Sequence, residues 1–432
     1  MAEAAGLTPK GARSGNFPAW LPWLVWLLGA LLFCYGFFQR TAPSVIIDAL
    51  MRDFAVGAAV LGNLSAIYLY AYASLQIPVG LLADTWGPRR LLTAGAICCG
   101  GGSLLFALAP DLYPAYLGRL LVGIGAAVSF VGTLKLATNW FPTSRFAQLT
   151  GMTMALGMLG GVGGQVPLAA AVEQFTWRNS LAAASLGGLA LAALIWLVVR
   201  DRPPTSRAVA QQSAHSVIQG LKLVIGMQRQ WLLCLIGCAM TAPLLAFASL
   251  WGVAWLMQLH GMGRAEAASH TSLMLIGWAV GSPLAGYLAD RIGQRLPIIR
   301  SYGALGLLSL LLLLYVPNLP SLLFAALFLT TGIGLGATAV CFAVAREITP
   351  PQAVGVAYGM LNGAVVGGGA IFQPLLGLLL DLQWDGRLVE GAPVYSKSAF
   401  DLAFLSLVLF LLLALLLSLL LREREERELH DT

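Results

Sequence analysis

The chain has 432 residues, 58% of them apolar and 10% charged, and its mean hydropathy is +0.81. Values of that kind exclude a water-soluble globule and leave no room for a separate soluble domain of ordinary size, so any chemistry takes place in or beside a bilayer. The formal net charge of +6 would suggest a nucleic-acid partner for a soluble chain; here topology accounts for it, and no nucleic acid is expected.

In chain order, residues 1–18 form a polar tail with no apolar core ahead of a small-residue cleavage site, which excludes a secretory signal. Six apolar runs follow, at 20–49, 57–82, 91–109, 114–140, 147–172 and 179–199. Residues 200–229 are the long polar interruption, rich in Arg, Gln and Ser with Pro203 and Pro204, and read as a linker. Six more runs occupy 231–257, 271–288, 297–316, 320–345, 355–380 and 400–421, and 422–432 is a charged tail that suits a solvated helix end. Each run can cross about 30 Å of hydrocarbon, and helices are the only open-ended element that satisfies its own backbone in lipid. The expected fold is an all-α integral membrane protein of twelve helices in two six-helix bundles, 19–199 and 230–421.

Basic residues set the expected orientation. With the N-terminus inside, Arg89, Arg90, Arg145, Arg291, Arg295 and Arg346 face the cytoplasm, and Arg52, Arg178, Arg264, Arg387 and Lys397 face the other side. Both termini are then cytoplasmic, in a plasma (inner) membrane. The six cysteines lie in apolar runs, where thiols behave as small hydrophobes. Cys234 and Cys238 share a helix face but lack a His or acidic neighbour, so no disulfide, metal or cofactor is expected.

The halves resemble each other. Gly80, Asp84, Gly87, Arg89 and Arg90, on the link between the second and third runs, return as Gly286, Asp290, Gly293 and Arg295 between the eighth and ninth. In the fifth run Gly151, Met152, Gly160, Gly161 and Gln165 return in the eleventh as Gly359, Met360, Gly368, Gly369 and Gln373. Such duplication predicts two similar bundles in tandem, and the dense glycines permit close approach of helices.

The duplicated loop motif, the twelve runs, the central linker and the Arg119, Gly123, Gly125 signature on the fourth run together resemble the major facilitator superfamily, over essentially the whole chain. That resemblance implies two bundles rocking about a central cavity, with a monomeric carrier moving a small solute by alternating access. It makes Gly80, Asp84, Gly87, Arg89, Arg90, Gly286, Asp290, Gly293 and Arg295 gate latches. Asp84 would pair with an Arg or with helix N-termini of the other bundle, and Gly87 would permit the tight turn.

Three ionisable residues lie within predicted spans, Arg40, Arg119 and Lys135, and burying each costs several kcal/mol unless something answers it. Arg40 is placed below the outer interface, facing the cavity, with Pro43 just beyond; the proline ring would free the carbonyl of Gln39. Arg119 and Lys135 are about 160° apart round one helix, and Lys135, close to Trp140, is read as snorkelling. Ser65, Tyr68, Tyr72 and Gln76 share a face of the second helix, and Asn362 and Gln373 a face of the eleventh, with Gln165 as the repeat partner of Gln373. Trp251 and Trp255 share a face of the seventh helix as a gate or an interfacial belt. The candidate substrate-binding set is therefore Arg40, Arg119, Gln39, Tyr68, Tyr72, Gln76, Gln165, Asn362, Gln373 and Trp251.

Firm charges that are all guanidinium favour an anion, or a zwitterion held by its carboxylate. Gly36 to Arg40 resembles the organic-anion (anion:cation symporter) and sugar-phosphate permease branches of the superfamily, where an Arg at this place binds the anionic substrate. Proton-coupled relatives often carry an acid before that Arg and another seven residues after the fourth-helix Arg; here those positions are Gln39 and Ala126. Symport with a proton, through Asp48 or the cargo's own carboxylate, stays open beside exchange and facilitated diffusion. A looser resemblance to lysosomal dipeptide carriers makes a dipeptide the alternative cargo. An enzyme would need a catalytic set at one depth, and none of His215, His260, His270 or His430 supplies one; a non-transporting sensor would keep the cavity and lose the latches.

Overall fold

The computed structural model of the protein describes residues 18, 20–142, 145–201, 214–350 and 353–421, except for the side chains of Ile77, Leu81, Asp84, Ala147 and residues 214–218. The expected tails, apart from Pro18, residues 202–213 of the 200–229 linker and the Asp84 carboxyl lie outside the described residues.

Among the described residues eleven helices are long and apolar enough to cross a membrane unaided. In the first half these are α1 (Leu21–Thr41), α3 (Pro88–Ala107), α4 (Leu112–Trp140), α5 (Phe146–Gly163 and Val166–Gln174) and α6 (Trp177–Val198). The second half supplies α7 (Gln228–Ala242, Pro243–Trp251 and Gly252–His260), α8 (Arg264–Ile292), α9 (Leu296–Tyr315), α10 (Ser321–Leu335 and Thr338–Ile348), α11 (Val354–Leu382) and α12 (Lys397–Ser418). The twelfth crossing, α2, is Ala58–Ser74 continued by Gln76–Thr85. Leu75 N–H bonds to Ala71 O and Val79 N–H to Leu75 O, so the ladder runs on through the bend. Between α1 and α2 a short helix, Ile47–Phe54, lies at 113° to α2. A hairpin, β1 (Leu388–Val389) and β2 (Ala392–Pro393), pairs antiparallel between α11 and α12. The side of the short helix and hairpin is called the far face below, and the side of the 201–214 connection the linker face.

Local chemistry explains where the helices stop. Asp111, Thr176 and Ser396 accept backbone N–H groups at the starts of α4, α6 and α12, satisfying donors a helix cannot satisfy itself. Gly261 and Gly293 end α7 and α8 in the left-handed region, at φ +64° and +72°.

In lipid the hydrophobic effect gives helices little reason to associate, so close packing and hydrogen bonds must hold them. The sequence repeats a Gly-Ile-Gly triplet for this, at Gly123 and Gly125 on α4 and at Gly332 and Gly334 on α10. A Cβ on Gly123 would strike the α2 backbone at Tyr68, and one on Gly332 the α8 backbone at Met274. The second glycine of each triplet faces the next helix, Gly125 against Gly95 of α3 and Gly334 against Gly306 of α9. The same device thus wedges the fourth helix of each half against its second and third, which is pseudo-symmetry at the level of atoms.

Four helices cross the seam between the halves: α2 packs on α11, and α5 on α8. Toward the far face a Cβ on Gly62 of α2 would run into the α11 backbone at Gln373, and one on Gly377 of α11 into the α2 backbone at Ala58. Toward the linker face the same four helices carry Gly80, Gly151, Gly286 and Gly355, and a Cβ there would meet open space. The halves are closed against each other on the far side, while a Cβ on any of these four linker-side glycines would have no neighbour within 4 Å.

Candidate functional site

The site begins with a proline. Pro43 has no N–H to give to Gln39 O, four residues back, and α1 tightens into a 3-10 turn at Ala42–Val45. The freed Gln39 carbonyl, anticipated from the sequence, receives Arg119 Nη1 of α4 at 2.8 Å, while Arg119 Nη2 reaches Ser65 O of α2 at 3.3 Å. Arg119 is 2% exposed, and it ties α1, α2 and α4 together through backbone carbonyls.

Arg40, one residue after Gln39, is held differently. It is 7% exposed, and its guanidinium carbon lies 4.3, 5.0 and 5.6 Å from the ring centres of Phe37, Tyr72 and Tyr68. Its Nε, like that of Arg119, has no hydrogen-bond partner, and among the described residues no carboxylate reaches it. Tyr68 also lies 5.2 Å from the Arg119 guanidinium carbon and donates its hydroxyl to Gly36 O at 3.0 Å. Two guanidiniums therefore converge on one tyrosine, in surroundings whose aromatic faces contribute only partial compensation for buried charge.

The acids found at two positions in proton-coupled relatives are absent for a visible reason in one case. A Cβ on Gly36 would come within 3.2 Å of Ala126 Cβ, so α1 and α4 approach too closely there to admit a carboxylate. Gln39 uses its amide nitrogen within the first half, on Tyr35 Oη at 2.8 Å and Ser103 Oγ at 2.9 Å.

The other candidate residues separate into two groups. Gln165 sits at the break in α5 and reaches across the seam, Nε2 to Ala248 O at 2.7 Å with Oε1 accepting from Ser272 Oγ at 2.7 Å. Gln76 and Asn362 also meet across the seam, Nδ2 to Oε1 at 2.9 Å. Gln373 and Trp251 stay within the second half: Gln373 Nε2 donates to Leu245 O at 2.8 Å, and Trp251 Nε1 to Gln373 O at 3.0 Å. Ala248 and Leu245, which accept from the two repeat-related glutamines, lie on the π-helical stretch of α7, a rare geometry that recurs at functional positions. Trp251 and Trp255 are 0% and 3% exposed, in the apolar core of the second half rather than in an interfacial belt.

The described side-chain contacts of Arg89 and Arg295 of the loop motifs lie within their own halves, and the Asp84 side chain lies outside the described residues. Asp201 Oδ1 accepts from Arg89 N at 2.7 Å, and the Arg89 guanidinium donates to Trp196 O and lies 4.3 Å from the Trp196 ring. Gly87 adopts φ +81°, and a Cβ there would come within 2.7 Å of the Asp201 carboxylate. In the second half Arg295 bonds Asp290, and Glu347 at 3.0 Å. Arg90 is exposed, and a Cβ on Gly80 or Gly286 would meet no neighbour within 4 Å.

The far face is closed by residues outside the candidate set. Arg264 of α8 forms a fork with Asp48, at 2.8 and 2.7 Å, and also bonds Val45 O. Burial pushes the Asp48 carboxyl up, but the Arg264 fork more than offsets it and the net shift is downward. Asp381 of α11 accepts from Ala58 and Ala59 N–H of α2. Two features of the sequence, unread above, could have pointed here: the Thr-Ala-Pro triplet at Thr41 to Pro43, repeated at Thr241 to Pro243, and the start of α2 at Gly57, Ala58 and Ala59, which offers no capping side chain of its own. Thr41 Oγ1 bonds Gly161 O and Thr241 Oγ1 bonds Val365 O, so the triplet anchors α1 to α5 and α7 to α11.

Comparison with known proteins agrees with this architecture. The Major Facilitator Superfamily profile matches residues 28–268 and 238–432. The chain is 26% identical over 288 residues to the "Probable sulfoacetate transporter SauU" of Cupriavidus necator, covering 62% of this chain and 65% of that protein, somewhat under two thirds of its length. It is 25% identical over 430 residues to the "Gallate transporter" of Pseudomonas putida, covering 88% of this chain and 91% of that one. In fold it is similar to the crystal structure of a bacterial homolog of the human lysosomal transporter Spinster, inward-facing and unoccupied, with a TM-score of 0.76, 18% identity, and 94% and 97% of the two chains covered. With a matching profile along nearly its whole length and twelve crossings in two glycine-wedged halves, this chain belongs to the Major Facilitator Superfamily and is a multi-pass membrane protein.

Proposed function

We propose that the protein carries a small organic anion, a carboxylate-bearing metabolite, by alternating access, with Arg40 as its principal ligand. The observation that carries this reading is Arg40 itself: a buried guanidinium among Phe37, Tyr68 and Tyr72, with no carboxylate beside it among the described residues and, unlike Arg119, no backbone carbonyl on its terminal nitrogens. Such a charge costs several kcal/mol until an anion arrives, and a planar carboxylate matches its fork in two hydrogen bonds. The second guanidinium at Tyr68 reinforces the sign of the field. Relatives named for sulfoacetate and gallate are consistent with cargo of this class. A dipeptide would need an acid for its amine close to Arg40, which favours the plain anion. The basic-residue asymmetry supports both termini being cytoplasmic in the inner membrane. In that orientation the linker face is the cytoplasmic one, and the tight far-side contacts support an inward-facing state.

Uptake into proteoliposomes tests the reading. A panel of small carboxylates, sulfonates, sugar phosphates and dipeptides is offered with and without a pH gradient to the wild type and Arg40→Ala. Uptake of at least one anion, lost in the variant while the protein stays monodisperse, is the expected result. Equal uptake by the variant would remove Arg40 from the site, and uptake of neutral or cationic solutes alone would overturn the anion.

A further inference from the structure

We infer that Asp381, at the far end of α11, is the latch that holds the far face shut by capping the N-terminus of α2 in the opposite half. Its Oδ1 accepts from Ala58 N at 2.9 Å and its Oδ2 from Ala59 N at 2.8 Å, one oxygen for each of two successive backbone donors. Tyr395 donates its hydroxyl to Oδ1 at 2.7 Å and accepts from Ala58 N at 3.1 Å; Gln258 Oε1 holds the Tyr395 backbone N–H at 3.0 Å. Burial, and then the bond to Asp381, push the Tyr395 phenol well above its ordinary range, so it stays a donor toward the carboxylate.

Three further observations make this a latch rather than an incidental contact. The N-terminus of α2 has no side-chain cap of its own, so its first N–H groups depend on the other half of the molecule. Gly57 has an ordinary extended backbone, φ −83° and ψ −179°, yet a Cβ there would come within 2.6 Å of Asp381 Oδ2. The glycine is required by the carboxylate and not by the turn. The first half uses the same device internally, where Asp201 binds Arg89 N at the start of α3 and crowds Gly87. There the contact joins elements that move together; at Asp381 it joins elements on opposite sides of the seam. Opening the far face must break it and expose a carboxylate and a helix N-terminus that now stabilise each other.

α2 and α11 therefore run antiparallel with a carboxylate at one end of each, Asp84 at the linker end of α2 and Asp381 at the far end of α11. The inference rests on alternating access and not on the identity of the cargo. Asp381 is a positioning residue: it sets which face is open, and touches no cargo.

Spin-label distances across each face test it in the full-length protein, reconstituted without cargo. Tyr113→Cys with Leu322→Cys, at positions 87% and 83% exposed on the far side of the two halves, report that face; Trp86→Cys with Ile292→Cys, each 55% exposed, report the linker face. Asp381→Ala and Gly57→Ala are each expected to raise the far-open population at least tenfold, with the linker-side distance shortening in step. Tyr395→Phe, which keeps both amide bonds, is expected to shift it less, and Asp381→Glu to restore part of it. Unchanged distances in monodisperse Gly57→Ala and Tyr395→Phe would overturn the latch even if Asp381→Ala failed to fold, as would variants that lose thermal stability with no change in either distance.

Discussion

Arg40 and Arg119 are the same side chain, both buried and both within 6 Å of the Tyr68 ring, and they are held in opposite ways. Arg119 directs its two terminal nitrogens onto the Gln39 carbonyl freed at the α1 bend and onto Ser65 O of α2, and leaves its Nε unpartnered as Arg40 does. Arg40 is surrounded by aromatic faces, and no backbone carbonyl takes its terminal nitrogens as Gln39 O and Ser65 O take those of Arg119. A buried guanidinium is thus no binding site by virtue of its charge; the fate of its N–H groups separates a structural tie from a candidate ligand.

The comparison breaks most visibly at Arg40. Arg40→Ala is expected to reduce anion uptake more than a hundredfold with an unaltered unfolding temperature, and Arg40→Lys to recover only part, since an ammonium lacks the planar fork. An unfolding transition lowered as far as in Arg119→Ala would make the two arginines equivalent and end the distinction. Arg119→Ala should do the converse, leaving the buried Gln39 carbonyl without a donor and costing about 2 kcal/mol of stability, read as loss of folded protein in thermal scans before any change in the cargo's affinity. Tyr68→Phe sharpens the contrast at smaller scale. It removes the bond to Gly36 O while keeping the ring beside both arginines, so about 1 kcal/mol of stability should go with little change in anion affinity.

The smallest effect expected is that of pH on the far gate. The lowered Asp48 carboxyl, facing Arg264 of α8 with Arg52 on its own helix and Glu390 in the same cleft, contributes its full stabilisation above the ordinary carboxylate range and loses it only as pH falls through the lowered value. Glu173 of α5 adds to the field at Arg264. Far-face distances should therefore hold constant from pH 8 to pH 5 and lengthen only below about pH 4. Lengthening between pH 7 and pH 5 would show that another group titrates the gate.

Much of this molecule was legible in its sequence. Run length and polarity give the crossings, because a backbone in hydrocarbon must satisfy itself over a fixed thickness. The bend at Pro43 and the free Gln39 carbonyl follow from a missing N–H four residues away, a strictly local effect. The repeated Gly-Ile-Gly and Thr-Ala-Pro triplets were equally readable, and they anchor matching helices in the two halves. The partner of that carbonyl was not readable, since Arg119 lies on another helix and at its own position looks like any basic residue near a membrane surface. Trp251 likewise offers the pattern of an interfacial tryptophan and is fully enclosed. The Asp381 contact joins residues more than three hundred positions apart, and nothing local to either end announces the other.

By itself, the sequence determined that this is a doubled helical membrane protein with guanidinium as its deep charge, since hydrocarbon thickness, proline chemistry and internal repetition all act over short stretches of chain. Which face is closed, which arginine holds helices together and which carboxylate spans the seam were decided only in three dimensions. Those properties belong to distances between helices, and a seam that can open on either side is compatible with one and the same string of residues.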